Sequence, residues 1–222
     1  MSENSIIGAK HKKPTYFELF KKVLNELNWR EVSSFDAIEK TEHKRILNLL
    51  NASNSDILSS YLWNFQIEKT DIEIEENSST IVENFEARII SIWEGRKKYR
   101  YLTPTQMTQN SNLADVYSTT KNSIITNPIK CKRKVALIYA SNCYAQDREG
   151  NLKSIMEGEF DTSIIPMPYL EPVLVYGTLI KVKANPSFVK FNYWRTLYYE
   201  ALTNLRSTTS KTYEDSPVIS FG

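Results

Sequence analysis

Three acidic side chains in the second half of the chain come nearest to a catalytic arrangement by residue type and spacing. Glu157, Glu159 and Asp161 alternate with other residues, whereas a glycosidase needs two carboxylates that face each other across a cleft. Residues two apart in sequence instead line one face of a strand or loop. We interpret the three as such a face rather than as catalytic acids, and the acidic residues that alternate through 71–75 likewise.

The histidines and cysteines do not form a recognisable metal or nucleophile site either. His11 lies in the polar N-terminal segment and His43 on a predicted polar helix face, and neither neighbours a cysteine or a carboxylate at ligand spacing. Cys131 and Cys143 flank an apolar run without a C-x-x-C pair. The sequence contains no G-x-S-x-G, P-loop or G-x-G-x-x-G pattern. We therefore predict a non-enzymatic protein with no metal and no cofactor.

The charge balance argues against a dedicated nucleic-acid binder. The chain carries 28 Lys and Arg against 26 Asp and Glu, a net charge of +2, whereas such binders concentrate basic residues on one face. The basic patches 130–134 and 96–98 are short, and a solvated edge or turn is the favoured interpretation of each.

No run approaches the ~20 apolar residues of a membrane span. No signal pattern is present, so we expect a soluble protein made in the cytoplasm.

Apolar periodicity predicts two helices in the N-terminal part. Thr15 and Glu18 form a T-x-x-E capping box, and apolar residues follow at helical spacing to about Asn28. A second helix is predicted from Thr41 to about Tyr61, where Asn and Ser residues weaken its middle. This helix therefore needs packing partners to persist.

The C-terminal third predicts two antiparallel helices. Apolar residues recur at helical spacing through 169–180, and Asn185 followed by Pro186 provides an N-cap and a first-turn proline for the last helix. In that helix the core side is assigned to a stripe that includes Tyr193 and Leu197. A short connection between the two helices makes them antiparallel neighbours.

Between these helical parts the apolar period changes from helical to two. Residues 63–68 alternate, and a hairpin is predicted between 85–92 and 99–102 with Gly95 in its turn. The most apolar run, 135–139, is predicted to be a central strand. Polar residues dominate 103–127, which we interpret as a loop or a poorly packed insertion. Ile124 and Ile125 within it are a further strand candidate.

These elements predict an α+β fold: an α-helical bundle from N- and C-terminal helices, an inserted β-sheet region and an extended C-terminal tail. The predicted parts are 1–64, the N-terminal helical part of the bundle; 65–163, the β-rich insertion; 164–206, the C-terminal helices that complete the bundle; and 207–222, a flexible tail with little helical potential.

Aromatic residues make up 12% of the chain, and a surplus beyond one core is typical of interfaces. Trp63 stands where a helix gives way to a strand, next to Phe65, and we interpret it as a core anchor. Trp194 and Tyr198 are four residues apart and form a second stripe on the last helix. That stripe packs against either the β insertion or another subunit, and the sequence leaves both open.

Two stretches of the chain carry a resemblance to a known family. One runs from the Arg-Ile-Leu-Asn segment that begins at Arg45 to Trp63-Asn64-Phe65, ahead of the β region. The other begins at Ile164-Ile165-Pro166 and includes Trp194 and 198–202. Together they resemble the head-to-tail adaptor proteins of short-tailed bacteriophages, also called tail tubular protein A or gatekeeper proteins. The resemblance covers about a third of the chain, and 85–161 departs from it.

The resemblance implies a structural virion protein located in the neck or tail. Such a protein forms a homo-oligomeric ring, usually of twelve copies, which docks under the portal protein and extends the DNA channel. The tail nozzle or other neck proteins would bind below it, and genomic DNA would pass through without specific binding. Arg45, Trp63 and Phe65 would be anchors of the fold. The resemblance implies neither catalysis, nor a cofactor, nor a membrane.

On this interpretation the last helix and the tail are contact elements. We expect Trp194 and Tyr198 at the interface with a neighbouring subunit or the portal. Val218, Ile219 and Phe221 would be apolar anchors of a tail that becomes ordered when it binds.

Three alternative functions stay open from the sequence. The nearest is another ring protein of the same neck or tail stack. The second is a non-viral protein-binding module, which would not need to form a ring. The third is a virion-associated cell-wall hydrolase that uses the acidic residues of 157–161.

Overall fold

The chain folds into a mixed α+β structure, as the sequence predicts. The structure, a computed structural model, describes residues 12–214 except 84, 86 and 122, and for 210–214 it describes the backbone alone. The helices of this part are α1 (Tyr16–Glu26), α2 (Thr41–Ser59), α3 (Pro104–Gln109), α4 (Leu170–Val182) and α5 (Phe191–Glu214). The strands are β1 (Ile67–Ile74), β2 (Thr80–Glu83), β3 (Arg88–Glu94), β4 (Lys97–Lys98), β5 (Arg100–Tyr101), β6 (Val116–Thr119), β7 (Ser123–Thr126), β8 (Arg133–Ala140), β9 (Ala145–Gln146), β10 (Leu152–Lys153) and β11 (Thr162–Ser163).

The described residues form two compact units, which we call the helical unit and the β unit. The helical unit comprises 12–61 and 143–214, and the β unit comprises 62–142. Residues 143–163, which the sequence assigned to the β insertion, therefore belong to the helical unit. Side chains of α2 hold this segment: Asn51 Nδ2 donates to the carbonyl of Met156 (2.8 Å), and Asn54 Nδ2 donates to that of Tyr144 (2.9 Å).

The predicted start of the first helix is confirmed in detail. Thr15 Oγ1 accepts a hydrogen bond from the backbone N–H of Glu18 (3.3 Å), and the Glu18 carboxylate accepts one from the N–H of Thr15 (2.7 Å). Helix α1 ends at Glu26, because Asn28 takes a positive φ of 55° that a right-handed helix cannot accommodate. Its apolar stripe is buried.

Helix α4 is the centre of the helical unit. It packs against α1, α2 and α5, and apolar residues surround most of its circumference. A helix that is apolar on nearly every face needs neighbours on nearly every face, which explains this position. Residues 145–163 add a small three-stranded sheet to the unit, in the order β10-β9-β11.

The β unit contains two four-stranded sheets. One has the order β1-β8-β3-β4 and the other β2-β7-β6-β5. Strand β8 is central in the first sheet, as its apolar run predicted, and pairs antiparallel with β1 and β3. The hairpin turn at Gly95 is also confirmed, with φ 56°. The second arm of that hairpin is short, because the chain leaves β4 for β5 in the other sheet.

The interpretation of 103–127 chiefly as a loop is wrong. Helix α3 and strand β6 lie within it, whereas the strand candidate at Ile124 and Ile125 is confirmed as part of β7. Thr103 and Gln106 form a capping box behind Pro104 at the first helical position. The polar composition obscured β6, in which the polar residue Ser118 is fully buried.

The last helix differs from the prediction at both ends. It begins at Phe191 rather than Pro186, because Asn185 Oδ1 accepts from the N–H of Ser187 (3.0 Å) and closes a turn instead of capping a helix. It continues to Glu214, so 207–214 of the predicted tail is helical. The Thr hydroxyls there donate to carbonyls one turn back, as Thr208 does to Asn204 (2.9 Å), and this keeps them compatible with the helix.

Membrane insertion through a helix finds no support in the described residues. None of the helices in 12–214 combines the length and the apolar character that crossing a bilayer requires.

Candidate protein-interaction site

A groove runs between α2, α4 and α5 on the helical unit, with a volume of about 320 Å³. We call it the α5 groove. The residues that line it are Ser53, Asp56, Gly177, Ile180, Lys181, Phe191, Arg195, Tyr198 and Tyr199.

The floor of the α5 groove depends on a glycine in the middle of α4. A Cβ atom at Gly177 would lie 3.0 Å from Cε2 of Tyr198, so close that the ring would have to shift by a few tenths of an ångström. The absence of that atom lets the Tyr198 ring lie directly on the α4 backbone. Beside it, Thr178 Oγ1 donates to Ser53 Oγ (3.3 Å) and joins α4 to α2. Glycine costs about 1 kcal/mol in a helix relative to alanine, so close packing of the ring accounts for its presence here.

The wall of the groove is aromatic. The rings of Tyr198 and Tyr199 meet edge to face, with centroids 5.3 Å apart. Burial raises the pKa of Tyr198, and the neighbouring Tyr199 and Asp56 raise it further. A tyrosine hydroxyl is protonated at physiological pH and can donate a hydrogen bond. Tyr199 is 55% exposed, so its ring is available to a partner.

The rim of the groove carries both charges. Asp56 and Lys181 form an ion pair that joins α2 to α4. The guanidinium of Arg195 lies over the ring of Tyr199, with its carbon 6.0 Å from the centroid. Tyrosine and arginine are among the residue types that contribute most often to binding energy at protein interfaces.

The prediction that Trp194 belongs to an interface is wrong. Its side chain is fully buried, its indole N–H donates to Glu26 Oε2 (3.2 Å), and its ring stacks on Phe188. A buried indole needs such an acceptor, and Glu26 at the end of α1 provides it. The predicted core side is therefore wrong at Tyr193, which is 58% exposed, and correct further along the helix, where Ala201, Leu202 and Leu205 are buried.

Of the two predicted interface residues on α5, only Tyr198 lines an accessible groove. Val218, Ile219 and Phe221, the predicted tail anchors, lie outside the described residues. Sequence reasoning missed Gly177, Arg195 and Tyr199, which lie with Tyr198 in the groove.

The three predicted fold anchors have different environments. Trp63 is fully buried and stacks on Phe65, with centroids 5.7 Å apart. Phe65 is half-buried in a 3-10 turn rather than in a strand. Arg45 is exposed, and no ion pair of the described residues includes it, so its predicted role as an anchor is wrong. His43, predicted on a polar face, is instead buried near the ring of Phe20.

The basic patch 130–134 is paired with acidic side chains of the β unit. Lys132 contacts Glu73 (2.7 Å) and Glu75 (3.0 Å), and Lys134 contacts Asp71 (3.2 Å). The antiparallel register of β1 and β8 brings the two charged stretches together. Hydrogen bonding to Lys132 lowers the pKa of Glu73, and hydrogen bonding to Glu73 raises the pKa of Lys132.

Arg133 is the inward-directed member of that patch. It contacts Glu94 (3.0 Å) and Asp115 (2.8 Å), and Asp115 also pairs with Lys97. The cluster joins the end of β3 to the loop that precedes β6. Since carboxylates compensate much of the positive charge, the patch offers little to a phosphate backbone.

The acidic cluster of 157–161 is organised around a buried carboxylate. Asp161 accepts from the N–H groups of Glu157 (2.7 Å) and Gly158 (2.8 Å) and from Lys153 Nζ (3.2 Å). Burial alone would raise the pKa of Asp161, but these hydrogen bonds outweigh it and lower the pKa below its usual range. Asp161 is therefore a buried residue that shapes the turn before β11.

The described residues contain no group of three or more His, Cys, Asp or Glu side chains that could hold a metal ion. Comparison of the chain with known protein-family models gives no match. A search of curated proteins likewise finds no significant similarity. The chemistry of the α5 groove, an aromatic wall with charges of both signs at the rim, suits the binding of a protein segment.

Proposed function

We propose that this chain is a ring-forming head-to-tail adaptor of a short-tailed bacteriophage. It would be a structural subunit of the virion that joins the portal to the tail and extends the DNA channel. The observation that carries the proposal is the order of its parts. The N- and C-terminal segments fold together as one helical unit, and the β unit is inserted directly after α2, beginning at 62.

This order is the one that the resemblance around Arg45, Trp63 and 164–202 implies. In the proposal, the helices α1, α2, α4 and α5 are the bundle of the adaptor fold. Trp63 supports this assignment, because it is fully buried at the point where the chain enters the β unit.

The surface of α5 supports assembly. A ring subunit makes heterologous contacts, in which one face of each copy meets a different face of the next. Exposed Tyr193, Tyr199 and Arg195 lie along one helix, and an exposed aromatic surface of this kind is typical of interaction sites. The proposed partners are further copies of this chain in a ring of twelve, the portal protein, and the tail nozzle or other neck proteins.

The charge pattern of the β unit is compatible with passage of DNA. A strongly cationic lumen would bind backbone phosphates and slow ejection. The ion pairs of Lys132 and Lys134 with acidic residues of 71–75 compensate their charge instead.

Light scattering tests the proposal. The purified chain is measured alone and mixed with the portal protein encoded in the same genome. The proposal predicts a complex with a fixed ratio of chain to portal subunits. A chain whose mass is unaffected by the portal at every concentration would refute it.

The α5 groove also favours a second candidate, a protein-binding module outside any virion. Such a module would bind a peptide in the groove without forming closed rings. Discrete ring-sized species in the mixture with the portal would therefore support the adaptor over the module.

A further inference from the structure

The α5 groove combines an uncompensated positive charge with apolar surface. Lys181 is paired with Asp56, whereas no ion pair of the described residues includes Arg195, whose guanidinium lies over Tyr199. Ile180 and Phe191 supply apolar lining. The segment that fits best has carboxylates for Arg195 and apolar side chains for the aromatic wall.

The chain itself carries a segment with this composition directly after α5. Residues 214–221 are Glu-Asp-Ser-Pro-Val-Ile-Ser-Phe. Two carboxylates come first, and three apolar side chains follow within five residues. The order matches a groove in which a cation lies beside aromatic and aliphatic surface.

The geometry of α5 prevents a chain from filling its own groove with these anchors. Tyr198 lies sixteen residues before Glu214 in the helix, about 24 Å away at a rise of about 1.5 Å per residue. Arg195 lies about 28 Å before Glu214 on the same helix, so the carboxylate of Asp215, one residue after Glu214, cannot reach it in the same molecule. Val218 and Ile219 follow Glu214 by four and five residues, an extended span of at most about 18 Å, and only Phe221 could span the distance to Tyr198. One chain therefore cannot place its carboxylates at Arg195 and its apolar side chains at Tyr198 within its own groove.

We infer that residues 215–222 of one copy bind in the α5 groove of a second copy. This inference rests on the proposed function, because it supplies the heterologous contact that a ring requires. Each copy donates a segment at one end of α5 and accepts one near the other end.

A labelled peptide tests the chemistry of the contact. A fluorescent peptide of residues 213–222 is titrated with the full chain, and its anisotropy is followed. We expect a Kd in the micromolar range and a loss of at least about tenfold in Arg195→Glu and in Tyr199→Ala. The matched controls Arg206→Glu and Tyr193→Ala change exposed α5 residues outside the groove and should bind within about twofold of the original chain. No binding up to about 1 mM, or equal losses in the controls, would overturn the inference.

Disulfide crosslinking tests whether the contact joins two copies. Cys131 and Cys143 are first replaced by serine. One population then carries Ser220→Cys and the other Asp56→Cys, at the rim of the groove. We expect a mixed disulfide between the two populations. A disulfide that forms only within a chain carrying both changes would overturn the assignment to a second copy.

The outcomes separate this inference from the proposed function. Both experiments omit the portal. A chain that joins the portal in fixed stoichiometry but fails the peptide titration remains an adaptor and loses the tail contact. A chain that passes both tests and ignores the portal keeps the tail contact and is not an adaptor.

Discussion

Gly177 of α4 and Tyr198 of α5 pack so closely that a Cβ atom at position 177 would crowd the tyrosine ring. The distance from an ideal Cβ at Gly177 to Cε2 of Tyr198 is 3.0 Å, and to Cδ2 it is 3.3 Å. The pair sets the spacing of two helices and forms the floor of the α5 groove.

Gly177→Ala tests this relationship. Alanine gains about 1 kcal/mol of helix propensity, but overpacking costs about 1–3 kcal/mol, so we expect a net loss of about 1 kcal/mol in the free energy of unfolding. In a Tyr198→Leu background the clash is absent, and the same change should be neutral or stabilising. Urea unfolding of the four proteins of this double-mutant cycle measures the coupling. Equal effects of Gly177→Ala in both backgrounds would show that the two residues do not interact.

Asn51 is expected to be important for stability because its side-chain amide forms two hydrogen bonds with the backbone of Met156, as a neighbouring peptide group would. Its Nδ2 donates to the carbonyl of Met156 (2.8 Å) and its Oδ1 accepts from the N–H of Met156 (3.0 Å). Asn51→Ala leaves both groups without these bonds, which costs about 2 kcal/mol in unfolding free energy. Asn48→Ala, an exposed position of the same helix, should change stability by less than about 0.5 kcal/mol. Denaturant unfolding compares the two, and equal values would contradict this role.

Tyr16 should make the fold sensitive to alkali. Burial raises its pKa strongly, and its hydroxyl donates to the carbonyl of Leu47 (2.8 Å). Because the folded pKa exceeds the unfolded value of about 10, the stabilisation is complete below pH ~10 and is lost as pH rises above it. Tyr16→Phe should be less stable at neutral pH and lose less stability in alkali.

Urea unfolding as a function of pH checks this expectation. Tyr193→Phe, which changes an exposed hydroxyl, is the control and should keep the original alkaline profile. A Tyr16→Phe profile parallel to the original one at every pH would rule out the assignment.

Asp161 should make the fold sensitive to acid. Its pKa is lowered by hydrogen bonds that outweigh the effect of burial. A carboxylate whose pKa is lower in the folded state than in the unfolded state stabilises the fold at pH above its unfolded-state pKa of about 3.9. This stabilisation is lost as the pH falls below that value. Asp161→Asn should cost about 2 kcal/mol at neutral pH and flatten the acid limb of the stability profile. Glu149→Gln, an exposed position nearby, should leave that limb unchanged, and the prediction fails if both variants behave alike.

Features encoded by neighbouring residues were predictable from the sequence. The capping box of Thr15 and Glu18, the turn at Gly95 and the central strand β8 follow from local pattern. Helix α3 had the same kind of signal in Thr103 and Gln106, but the polar composition around it concealed it.

Features decided by distant partners were not predictable. Tyr193 and Trp194 are adjacent, and either could face the core until Glu26 and Phe188 are known to surround the tryptophan. The pairing of Lys132 with Glu73 depends on strand register across 59 positions of the chain. The groove depends on the meeting of Gly177 with Tyr198, for which neither residue gives a separate signal.

The most direct test of the adaptor proposal is electron microscopy of the chain mixed with the portal protein of the same genome. The account predicts portal particles with an added ring on the tail-facing side, in register with the portal's own rotational symmetry and with one copy of this chain per portal subunit. Portal particles that are identical with and without the chain, at concentrations where the chain remains folded, would contradict the account.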